Sequence, residues 1–424
     1  MPHTCLITHF SAQLAICGPL FFLDAMDNHG GIGRKRYGFR TSSLLFWKSE
    51  ARRKARSPLK KITGATMRVW CALSGHGFGH LVQTASVLNR LSQSFPDLTL
   101  HISGRFPQDL VQRWVRHPFT LDSSPQDIGL IQNDPLDVDL RATHAAYRQF
   151  HDHWVPLERD YRAALTHWKP DLVLGNIPYL PLSAAASLRI PTVAMSSLSW
   201  DLVLMNYFSL SDPQVRDWWE QIRASYARVD LAIQVTPGQL GDGFQKTVEC
   251  PPLVEPVPPC RKELRSRLNV HGDQPIVLLS MGGIPLEGVS WPELEKESRA
   301  CWLVPGQGRL GKTVIGFDGI SDWPFQRIAA SVDALVGKLG YNTAVQAVAS
   351  GVPLLYTRRI GFPDEPQLAA WLQKYHPARE ISRAMYDSGV WFPELEALWA
   401  MPWPKPPRLG GAEKVVEHIV ELLH

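Results

Sequence analysis

From Met67 onward the chain alternates short apolar runs with segments whose apolar residues recur every three or four positions. The first run is RVWCALS; an amphipathic stretch follows from about Leu81 to Ser94, then LTLHIS, and later DLVLGN at 171–176 and PTVAMSS at 191–197. Strand runs separated by helical periods predict parallel strands joined by crossover helices. A proline-rich segment, ECPPLVEPVPPC from Glu249 to Cys260, interrupts the rhythm, which restarts with PIVLLSMGG, CWLVP, TVIGF, DALVGKLG and PLLYTRR. The expected architecture is therefore α/β: two doubly wound Rossmann-like domains, 67–248 and 261–424, joined by the linker 249–260 and facing a cleft. Ligands of such folds bind outside the carboxyl ends of the strands. The closing segment GGAEKVVEHIVELLH, grouped with the second domain, has the apolar face Val415, Val416, Ile419 and Leu422 of a packing helix.

Composition changes this picture in one place. The 424 residues, 45% hydrophobic, can build two or three cores, but the net charge of +4 is unevenly spread. Residues 1–66 hold 11 Lys/Arg against 3 acids, leaving 33 against 37 for the rest. The body is mildly acidic and carries no nucleic-acid footprint outside the extension, which disfavours a dedicated nucleic-acid binder. The 1–66 stretch lacks periodicity, and its apolar part, LAICGPLFFLDAM, is too short and polar for a membrane span and has no basic region before it. It reads as a disordered basic extension; contact with anionic lipid is the less favoured alternative. Six scattered cysteines without a CxxC pair fit a reducing cytoplasm and no zinc knuckle.

Two motifs imitate other chemistries. GQGRLGKT, Gly306 to Thr313, has the Walker A spacing, but the β-branched run TVIGF after it predicts a strand where a phosphate loop needs a helix N-terminus. A glycine-rich basic hairpin is expected instead. DVD, Asp137 to Asp139, imitates a metal-binding DxD, yet it precedes the helical RATHAAYRQFHDHW, so Asp139 is expected to be an N-cap.

The glycine turns carry the remaining chemistry. SGHGFGH, Ser74 to His80, follows the first strand and opens its helix; Gly77 and Gly79 permit a tight turn, and His76 or His80 can serve as a general base. Its spacing differs from GxGxxG, and no acid ends the second strand, so a dehydrogenase is disfavoured. In the second half, VGKLGYNTAVQAVASGVP is a strand, a turn at Gly340 and a helix N-terminus beside Lys338, Asn342 and Thr343, a place for a diphosphate. Gly282 and Gly283 of SMGG offer further N–H groups. Asp364, Glu365 and Gln367 of FPDEPQ follow another strand, where they are expected to accept sugar hydroxyls or to cap a helix.

SGHGFGH, SLSWD (Ser197 to Asp201), SMGG and GKLGYNTAVQAVASGVPLLYTRR with DEPQ, in this order, resemble the glycosyltransferase-like N-terminal half of plant L-arabinokinases. More distantly they resemble the GT-B fold of the peptidoglycan N-acetylglucosaminyltransferase group. The resemblance covers Met67 to the end and implies a nucleotide-sugar donor held by the C-terminal domain and an acceptor held by the N-terminal one. On it, His80 is the acceptor-side base, Trp200 and Asp201 lie on the acceptor side, and Gln346 stands where the second group has a ribose-binding glutamate. The implied function is metal-independent transfer of a sugar to a hydroxyl acceptor, with the nucleotide sugar as substrate and no cofactor. The alternatives are a non-catalytic sugar-nucleotide-binding module and a sugar-nucleotide epimerase.

Overall fold

The computed structural model describes residues 66–424 apart from 133, 135, 282–290, 307, 321 and 360. The 1–66 extension, but for its last residue, and the candidates Gly282 and Gly283 lie outside the described residues. Met67 opens the first strand, β1 (Met67–Leu73), which is joined by β2 (Leu98–Ser103), β3 (Phe119–Asp122), β4 (Leu172–Asn176), β5 (Thr192–Ser196), β6 (Leu231–Val235) and β7 (Thr247–Cys250). All neighbours are parallel, in the order β3-β2-β1-β4-β5-β6-β7. A second sheet contains β8 (Ile276–Ser280), β9 (Cys301–Val304), β10 (Val314–Gly316), β11 (Ala334–Lys338), β12 (Leu354–Thr357) and β13 (Ala378–Glu380). Its order, β10-β9-β8-β11-β12-β13, repeats the plan, again with parallel neighbours. In each sheet the strand order reverses beside the first strand, between β1 and β4 and between β8 and β11, the position at which ligands of such folds bind.

Alternate residues of β1 serve opposite faces, as the pleat dictates. Val69, Cys71 and Leu73 pack with Leu81, Leu88 and Leu91 of the Gly79–Ser94 helix, whereas Trp70 and Ala72 join Tyr147, Tyr179 and Trp200 on the other side. Each fully buried leucine contributes about 1.5–3 kcal/mol. The linker is non-regular from 251 to 260, as the prolines predict, although its first two residues, Glu249 and Cys250, complete β7.

Several expectations meet their tests here. The segment after GQGRLGKT is the strand β10; Leu310 N–H bonds Val314 O at 3.0 Å and Gly316 N–H bonds Gly308 O at 2.7 Å, so the motif is a small hairpin that runs into a strand and not into a helix N-terminus. Asp139 caps the Leu140–Asp152 helix by accepting from the N–H of Ala142 at 2.8 Å. The final helix, Gly411–Leu423, departs from sequence order: it lies against the Gly79–Ser94 helix, β6 and β7 of the first lobe. Val415, Val416 and Ile419 are buried there, on the apolar face read from sequence. Among the described residues no helix is long and apolar enough to cross a membrane.

Candidate functional site

The turn after β1 holds two histidines in different environments. Gly77 has φ +74°, a left-handed conformation that glycine adopts without strain. It lets the chain double back, so that His80 enters the helix and His76 stays in the turn. His80 is 6% exposed, and its Nδ1 lies 2.8 Å from Asn176 Oδ1 at the end of β4. The orientation of Asn176 is set by its neighbours. Thr84 donates its hydroxyl proton to His80 O, so Thr84 Oγ1 accepts from Asn176 Nδ2 at 2.9 Å, and Gln83 Oε1 accepts from the same Nδ2 at 3.2 Å. Asn176 Oδ1 is thereby the acceptor, Nδ1 of His80 carries the proton, and the lone pair of the neutral ring is on Nε2. Burial pushes the His80 pKa down, with the Asn176 bond opposing.

His76, half-buried, is pushed down to about 3, chiefly by burial, with the positive charges of Arg359 and Lys338 acting in the same direction. Its Nδ1 lies 3.0 Å from Leu130 O, and its ring meets Trp200 edge-on at 5.3 Å. Trp200, wholly buried, stands behind both histidines and donates its indole N–H to Asp127 at 2.8 Å. Asp127, also bonded by Ser74 and Gly75, has its carboxyl raised to about 6 by burial. Gly129, at φ +65°, allows this close assembly, because a Cβ there would stand 2.9 Å from His76 Cβ and 3.0 Å from Trp200. Asp201 is placed elsewhere: it is 1% exposed, accepts from the Ser199 hydroxyl, and faces Gly241.

The facing wall comes from the second lobe. Gly340 precedes the Tyr341–Ser350 helix, whose first turn carries Asn342 and Thr343, both half-buried. Lys338 ends β11; burial and then Arg359 press its ammonium down to about 7, against Glu365, Asp134 and Asp364. Arg359 donates its N–H and Nε–H to Glu365 at 2.9 and 2.8 Å and lies 3.4 Å from Asp364. Both carboxylates, 2% exposed, are raised by burial and held back chiefly by Arg359. These acids are thus engaged by an arginine, and Asp364 stands at the N-cap of the Glu365–Tyr375 helix without a side-chain cap bond. Gln346 turns along its own helix to Ser350 at 2.7 Å. Gln367 bonds Gln239 of the first lobe, and its Oε1 is buried without a partner.

The two turns touch. Asn342 Nδ2 donates to Gly79 O at 3.0 Å, and a Cβ on Gly79 would stand 3.3 Å from that nitrogen. Phe362 of the second lobe stacks on His76 at 6.3 Å and carries the Arg359 guanidinium on its ring at 3.4 Å. His76, His80, Gly77, Gly79, Trp200, Lys338, Gly340, Asn342, Thr343, Asp364 and Glu365 therefore line or back one interlobe crevice, while Asp201 and Gln346 turn away from it. Asn176, Asp127, Arg359 and Phe362 belong to the same place and were not singled out in the sequence. Asn176 was within reach, since it ends the strand that neighbours β1; the others sit in loops without periodicity. Among the described residues no three His, Cys, Asp or Glu side chains are grouped to hold a metal.

Two sheets in this order, with a crevice between their carboxyl ends, are the GT-B fold of glycosyltransferases. It is shared with a UDP-glucosyltransferase from Polygonum tinctorium capable of glucosylating indoxyl, at 12% identity, 85% coverage of this chain, 99% of that one, and a TM-score of 0.53. The calicheamicin glycosyltransferase CalG4 matches at 16% identity over 85% of this chain and 93% of its own, with a TM-score of 0.52. In sequence the chain is similar to the L-arabinokinase of Arabidopsis thaliana, 27% identical over 360 residues that make up 82% of this chain. It spans about a third of that relative's length, 34%. No protein-family profile matches the chain.

Proposed function

We propose that the protein transfers a sugar from a nucleotide-sugar donor to a hydroxyl acceptor, with the donor on the second lobe and the acceptor on the first. The observation that carries this reading is the fixed tautomer of His80: a neutral imidazole with its lone pair on Nε2, beside a helix N-terminus of the opposite lobe. His80 accepts the acceptor's hydroxyl proton as the oxygen attacks the anomeric carbon. The bond from that carbon to the diphosphate breaks, and its electrons leave with the diphosphate. The N–H groups before Asn342 and the Lys338 ammonium stabilise that leaving charge, the role a metal plays in other transferases. The GT-B relatives support a nucleotide sugar as substrate: one of them, from Arabidopsis thaliana, is seen with UDP-L-rhamnose at 11% identity and a TM-score of 0.52.

A second reading, a sugar-nucleotide-binding module without transfer, draws on the engagement of Asp364 and Glu365 by Arg359. A panel of nucleotide sugars titrated into the protein, followed by assay of released nucleoside diphosphate, separates the two. Binding with release supports transfer, and binding without release under any acceptor supports the module. No binding at all removes both.

A further inference from the structure

After β3, the described residues Asp134, Leu136 and Asp137 of a strap meet the second lobe. Gln132 and Val138 bridge its base as an antiparallel pair, and Asp134 Oδ1 accepts from the N–H groups of Leu136 and Asp137 at 2.6 and 2.9 Å. Leu136, 4% exposed, belongs to the apolar cluster of the second lobe with Leu279, Met281 and Tyr386. Met281 directly follows β8, so the cluster that buries this leucine extends to the carboxyl end of that strand. Arg383, on the Arg383–Ser388 helix of the second lobe, reaches Asp137 at 3.3 Å and Asp134 at 3.5 Å, and is braced by Asp387 at 2.8 Å. Lys338 stands at the same strand ends, because Gly337 lies opposite Ser280 in the β11–β8 register and the Tyr386 hydroxyl of the Arg383–Ser388 helix donates to Met281 Sδ at 3.1 Å; the Asp134 carboxylate favours its ammonium against burial. One carboxylate from the first lobe thus lies within electrostatic reach of two cations of the second, at the strand ends where a diphosphate is expected.

We propose that Lys338 and Arg383 form an anion cradle of the donor site and that Asp134 is its built-in occupant, standing in for a phosphate group of the donor. This rests on the nucleotide-sugar reading of the crevice. Half-exposed carboxylate pairs of this kind are weak, whereas a diphosphate brings more charge and can meet the guanidinium fork with two oxygens. The donor therefore displaces the strap, and Leu136 leaves its apolar seat with it. The resting protein binds donor less tightly in proportion to the fraction of molecules with the strap in place.

The test is titration calorimetry on the full chain with UDP, GDP, ADP and dTDP, each beside its nucleoside. Asp134→Asn is expected to bind the preferred diphosphate about three- to fivefold tighter than wild type, with nucleoside affinity unchanged; Leu136→Ala should shift affinity the same way by less. Adding Arg383→Ala to Asp134→Asn should cancel the gain. Equal affinity of wild type and Asp134→Asn for a diphosphate that both bind overturns the proposal and leaves the nucleotide-sugar reading standing. A gain that survives Arg383→Ala removes Arg383 from the cradle and overturns it as well. If neither protein binds any diphosphate, both the strap and the nucleotide-sugar reading fall.

Discussion

The two turns that meet across the crevice follow different strands of two like-ordered sheets, β1 in the first and β11, the counterpart of β4, in the second, and they are built from opposite materials. The first lobe arranges its turn with neutral groups: His80, Asn176, Gln83 and Thr84 hold one another by hydrogen bonds in a water-poor setting. The second uses charge, with Lys338, Arg359, Asp364 and Glu365 gathered within one wall. Burial acts on both, but with different consequences. It keeps an imidazole unprotonated and ready to take a proton, while it makes an ammonium costly until an anion arrives. On the proposed reading, a proton acceptor and an anion receptor are made by one physical effect acting on different residues.

The sharpest way to break this contrast is His80→Ala. Removing a general base costs about a hundred-fold or more in turnover, while donor affinity should stay within a few fold; calorimetry paired with diphosphate release reads both. Loss of donor binding in that variant would place the nucleotide on the first lobe and invert the assignment. Lys338→Ala should do the reverse, weakening nucleotide-sugar binding about ten- to a hundred-fold through one charge-assisted contact of roughly 1.5–3 kcal/mol.

The pH dependence sharpens the contrast further. As the proposed base, His80 would act unprotonated, and its pKa is lowered from 6.5, so turnover should hold as pH falls through 6.5 and decline only below it. As the proposed diphosphate contact, Lys338 would act protonated, so donor affinity should fall as pH rises through about 7. The same shift bears on stability. Between about 7 and the ordinary 10.5 the unfolded chain binds more protons at this residue than the folded one, so Lys338 makes stability rise with pH across that window. Lys338→Met should flatten the rise and lift the melting temperature at pH 7 by about 2–4 °C, the effect of roughly 1 kcal/mol in a protein of this size. The smallest effect belongs to Lys312→Ala, in the hairpin of Walker spacing. Nucleotide binding should be unchanged, and loss of ATP binding would show that hairpin to be a phosphate site.

Much of the fold was legible because it rests on local pattern. The strands β1, β2, β4, β5, β8, β9, β11 and β12 are apolar runs, and Met67, Asp139 and the strand after Thr313 stand where residue type placed them. The edge strands β3, β7 and β13 were missed because four or three residues such as FTLD, TVEC and ARE carry too little hydrophobic signal to differ from loop. The site was legible in its glycine turns and less so in its partners. Nothing in DLVLGN says that Asn176 will meet His80, because that contact joins residues 96 positions apart and depends on β4 lying beside β1. Arg359 was hidden for a related reason: its role comes from two acids brought back by the following turn.

The chain passes between the lobes twice, once through the linker and once before the Gly411–Leu423 helix returns to the first lobe. The two passages run side by side, with Gly411 N–H bonded to Pro252 O at 3.2 Å, and Gly411 sits so close that a Cβ would stand 2.0 Å from Pro251 O. One covalent tether would act as a swivel, free to turn about many axes. Two adjacent tethers act as the paired knuckles of a door, leaving a single arc along which the crevice opens and returning the same faces to each other at every closure.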